Sequence, residues 1–70
     1  MKHLIGKTVD IYVEHLDASG HIYLSETLPT AKILNISDTN IIVHSMGKVI
    51  SLPFSTVKIE IKGIEYEVSK

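Results

Sequence analysis

Residues 8–15 alternate apolar and polar side chains: Val9, Ile11 and Val13 fall on one side, Asp10, Tyr12 and Glu14 on the other. A period of two places successive side chains on opposite faces of an extended chain, so this segment predicts a strand with one buried face. Asp17, Ala18, Ser19 and Gly20 form a turn cluster in which Gly20 takes positive φ at no steric cost. Residues 21–24 read as a short strand. Residues 25–30, interrupted by Pro29, read as a loop or irregular edge, since proline cannot donate to a ladder. Residues 32–37 predict the next strand, with Leu34 and Ile36 on one face. Asp38, Thr39 and Asn40 then predict a turn closed by side chains that bond their own backbone.

Two hairpins follow, and the pattern specifies the register of each. With a two-residue turn at Met46-Gly47, Val43 opposes Ile50 and Ile41 opposes Leu52, while Ile42 meets Ser51 on the other face. A slip of one residue loses that match. With a turn at Lys62-Gly63, Ile61 opposes Ile64, Ile59 opposes Tyr66 and Val57 opposes Val68. The parity of the apolar positions switches at Gly63, as a two-residue loop requires.

Composition agrees with the pattern. Ile, Val and Thr make up 22 of the 70 residues, and such β-branched side chains are stiff at χ1 and pack well on a pleated surface. Alanine, the best helix former, occurs only at Ala18 and Ala31. The expected fold is a single all-β domain over residues 1–70, a small, strongly bent barrel of five or six strands. A chain of this size without cysteine has neither a disulfide nor a thiolate site to staple it. Self-association through an exposed strand edge is the available remedy. The predicted edge is residues 48–52, with Val49 on the side away from Ile50 and Leu52. Ile42, Val49 and Ser51 are therefore the expected oligomer interface.

Seven lysines, no arginine and eight acids give a net charge of -1, which argues against a binder carried by bulk positive charge. No apolar run reaches the length of a membrane span, and the first seven residues lack the apolar core of an export signal. A cytoplasmic location is expected, with no membrane partner. His15, Asp17 and His21 flank one loop but lack the tight spacing of a zinc site, so no metal or cofactor is expected. Serine and histidine occur without a nucleophile elbow, and a barrel this small leaves little room for a substrate pocket, so no catalytic residue and no enzymatic activity are expected. Tyr12, on an outward face, and Tyr23, near the first loop, are the rings placed to stack on a base. Tyr66 and Phe54 read as core.

Residues 33–61 bear a family resemblance. Asp38-Thr39-Asn40-Ile41-Ile42-Val43 resembles the first motif of the Sm-like (Hfq-like) small β-barrels, with one residue fewer between Asp and Asn. Ser55-Thr56-Val57-Lys58-Ile59 is similar to the strand that closes that barrel. The basic pairs by which such proteins hold RNA are absent near Ser51 and Leu52. SH3-like barrels match nearly as well. The resemblance implies a bent five-stranded sheet that forms rings by edge pairing, with Asp38, Asn40, Ser55 and Thr56 lining an RNA-binding face. Taken together, the expected function is a non-enzymatic, self-associating module that acts as a protein adaptor or as a structural or regulatory subunit. The alternative is an Sm-like RNA-binding regulator.

Overall fold

In the computed structural model, which describes residues 2–62, a short 3-10 turn (Lys2–Leu4) leads into five strands. They are β1 (Thr8–Leu16), β2 (Ile22–Ile36), β3 (Asn40–Ser45), β4 (Lys48–Pro53) and β5 (Val57–Lys62). Every pairing is antiparallel, in the order β4-β3-β2-β1-β5. Strands β4 and β5 stand at opposite edges and do not pair with each other, so the sheet is open among the described residues. The chain is all-β, as its residue pattern predicts.

The core is aliphatic and comes from one face of each strand. Val9, Ile11 and Val13 of β1 are buried against Ile33 of β2 and Ile41 and Val43 of β3, with Leu4 of the 3-10 turn joining the same cluster. Met46 and Gly47 both take positive φ (52° and 76°), which matches the right-handed twist of the strands they join. The register follows as expected: Ile41 opposite Leu52, Ile42 opposite Ser51, Val43 opposite Ile50. Strand β5 alternates as well, with Ile61 against Ile11, Ile59 against Val13 and Val57 against His15. The return strand expected after Gly63, with Tyr66, lies outside the described residues. Phe54, expected in the core, is partly buried and packs against it.

Three local expectations need correction. The segment 25–30 is no loop: it belongs to the 15-residue strand β2, continuous with residues 22–24. Pro29 is tolerated because β1 and β2 change register there, leaving Asp10 opposite both Pro29 and Thr30 in a two-against-one bulge. Asp10 Oδ1 accepts the Thr30 N–H at 2.9 Å, and the buried Ser45 hydroxyl donates to the Pro29 carbonyl at 2.9 Å. A second register shift, between Ile33 and Asn35, puts Ile33 and Ile36 inward and leaves Leu34 exposed, so Leu34 and Ile36 do not share a face. In the β2–β3 turn, Ser37 rather than Asp38 provides the side chain that bonds backbone. Its Oγ accepts from the N–H of Thr39 at 3.3 Å and of Asn40 at 3.2 Å.

The bulge stores a measurable strain. Thr30 sits at φ 52°, where a β-branched residue is strongly disfavoured. Replacing Thr30 by glycine is expected to raise stability by about 1 kcal/mol, read as a higher urea midpoint at unchanged slope.

Candidate interaction surfaces

Three surfaces emerge from this fold. The first is the open β4 edge. Across β3 and β4, the face turned away from the core carries Ile42 opposite Ser51 and His44 opposite Val49. Val49 is 67% exposed, Ile42 is half-buried and Ser51 is exposed. Ile42, Val49 and Ser51 therefore share one outward face, next to an edge whose only charged residue is Lys48. Residues 25–30 are occupied in β2 and do not cover that edge.

The second surface is the end of the sheet where the β2–β3 turn meets the β4–β5 corner. The Phe54 N–H donates to the Thr39 carbonyl at 2.9 Å, and the Leu16 N–H donates to the Thr56 carbonyl at 2.9 Å. The first bond draws the turn holding Asp38 and Asn40 toward the corner holding Ser55 and Thr56, and the second ties that corner to the end of β1. Ser37 Oγ donates to Asn40 Oδ1 at 2.8 Å, and Asn40 Nδ2 donates to Ser51 Oγ. Asn40 thus links this end to the β4 edge. Its amide is already engaged at both ends, whereas Asp38 and Ser55 are exposed with open hydrogen-bonding capacity.

Residue periodicity missed a third feature, the projecting β1–β2 hairpin. Strand β3 pairs with β2 only from Lys32 onward, so residues 22–27 run along β1 on one side, with Tyr23 in a local irregularity, and pair with no described strand on the other. All six are exposed, with Ile22 at 48%, Tyr23 at 66% and Leu24 at 49%. Asp17 Oδ1 closes the hairpin tip by accepting the N–H groups of Ser19 and His21, both at 2.9 Å. His15 Nε2 and Glu26 Oε2 share a hydrogen bond of 2.7 Å, and the His15 ring tilts against Tyr23 with centroids 6.2 Å apart. Only the cluster of apolar residues at 22–24 hinted at this surface, and Pro29 disguised it.

Among the described residues no group of three or more His, Asp or Glu side chains is placed to hold a metal ion. Tyr12 faces outward with Lys62 Nζ 5.5 Å from its ring centroid, a cation–π contact rather than a free stacking platform. No helix among the described residues is long and apolar enough to cross a membrane. The surfaces define a small antiparallel β-sheet protein in which, among the described residues, β4 and residues 22–27 are each paired on one side alone. Comparison with protein families, with curated proteins and with solved structures finds no match.

Proposed function

We propose that this chain is a non-enzymatic interaction module that associates with itself and serves as a protein adaptor or as a structural or regulatory subunit. Its bent sheet is of the Sm-like or SH3-like barrel type. The observation that carries the reading is the β4 edge: a strand with no partner on its outer side among the described residues, a single charge, and Val49 67% exposed beside it. Edge strands left this bare pair readily with another chain. The near-neutral net charge and the absence of arginine favour a protein partner over nucleic acid. Light scattering at micromolar concentration tests the proposal. The expected mass exceeds 7.8 kDa and rises with concentration, and Val49→Lys, which places a charge on the outward face of the edge, returns it to that of a single chain. A mass that stays at 7.8 kDa at every concentration overturns it.

A second reading, an Sm-like RNA-binding regulator, is favoured by the Phe54–Thr39 bond, which draws Asp38 and Asn40 toward Ser55 and Thr56. Fluorescence anisotropy with short U-rich and A-rich RNA at low salt, where phosphate contacts are strongest, tests it. An anisotropy that does not change at low salt removes this reading.

A further inference from the structure

The charges of this protein are sorted by element. Residues 8–31, which span β1, the hairpin tip and β2 as far as its first bulge, hold Asp10, Glu14, Asp17 and Glu26 and no lysine, whereas the remaining described residues hold six lysines against Asp38 and Glu60. Within the chain, β5 answers part of this: Lys62 stands opposite Asp10, and Lys58 opposite Glu14. Glu26 remains as the one acid on the hairpin's open edge, sharing a hydrogen bond with His15 Nε2. At the other end of the sheet, Lys48 is the one base on the open β4 edge.

We propose that the open edge of residues 22–27 in one copy of this chain pairs, antiparallel, with the open β4 edge of a second copy. This inference rests on the self-association proposed above and names the surface that the β4 edge meets. Placing Glu26 opposite Lys48 brings Leu24 opposite Ile50 and Ser25 opposite Val49, by the ordinary one-to-one count of an antiparallel ladder. Leu24 shares a face with Val13 and Glu26 through the β1–β2 register, and Ile50 shares one with Lys48 and Leu52. A single register thus sets opposite charges together and aliphatic against aliphatic on the same side of the joined sheet. Shifting it by one residue places Glu26 against Val49 and loses both matches. The contact is head-to-tail, since the two edges differ, and it removes two unpaired edges from solvent for each pair of copies joined.

A charge swap in the full chain, followed by sedimentation velocity, is the test. Glu26→Lys is expected to weaken association about tenfold by setting two lysines opposite each other, and Lys48→Glu to do the same. The double variant is expected to recover to within about threefold of the parent. Glu26→Gln, which retains a hydrogen-bonding partner for His15, is expected to weaken association only about threefold. Circular dichroism confirms that each variant is folded, as expected for substitutions at two exposed positions. If Val49→Lys dissociates the parent while Glu26→Lys leaves it unchanged, the β4 edge meets a different surface and this inference fails, with the self-association intact. If both single swaps weaken association and the double variant does not recover, the pairing of Glu26 with Lys48 is wrong. A parent that sediments as a single chain overturns both proposals.

Discussion

Truncating Ile41 to alanine is expected to remove about 2–5 kcal/mol of stability. Ile41 is fully buried, lies opposite Leu52 in the β3–β4 ladder, and sits in the same cluster as Ile11 and Ile33. The cavity left behind cannot collapse easily, because Ile11 and Ile33 stand on β1 and β2, which are held by ladders on both sides. A domain of this length has on the order of 3–10 kcal/mol in all, so the loss takes a large share of it. Urea denaturation followed by circular dichroism should show a much lower midpoint at the same slope. Leu24→Ala, at a position 49% exposed, should leave the stability of the monomeric chain within about 0.5 kcal/mol of the parent.

The second large effect is expected at Ser45. This side chain is buried, and its hydroxyl donates to the Pro29 carbonyl across the bulge in β2. Ser45→Ala leaves that carbonyl without its donor beside an apolar core, and a loss of about 1–3 kcal/mol is expected. The bond also joins the end of β3 to the point where β2 departs from regular pairing. Hydrogen exchange should therefore report faster opening in the flanking residues of β2 and β3 than elsewhere in the sheet. A uniform acceleration across all strands would mean that the bond contributes to global stability alone.

How far the residues themselves foretold this structure depended on whether the pairing was regular. The β3–β4 register was readable because Val43, Ile50, Ile41 and Leu52 match in one alignment only and a two-residue turn fixes the offset. The alternation of β1 and β5 was readable for the same reason. Strand β2 was not, because bulges break the period of two on which such reading rests. A proline normally ends a strand, yet Pro29 stands where Asp10 faces two residues and no ladder donor is needed from it. Counting by twos puts Leu34 on the same face as Ile36, because the extra residue in the next bulge is invisible in a list of side chains. Of the candidate surfaces, Val49 was legible from its parity relative to Ile50. The meeting of the Asp38 turn with the Ser55 corner was expected only through the family resemblance, since it depends on a backbone bond between Phe54 and Thr39.

The order of the strands also sets how the molecule is assembled and how it comes apart. Three of the four pairings join strands adjacent in the chain and close short loops, while Ile11 and Ile61, fifty positions apart, meet across the fourth. Bringing such distant segments together costs more chain entropy than closing a hairpin, so the docking of β5 belongs late in folding and its release early in unfolding. An intermediate that has shed β5 bares the backbone of β1 from Asp10 to His15 and uncovers Ile11 and Val13. That species has one more adhesive strand than the native protein, and it is the form from which aggregation on heating should begin.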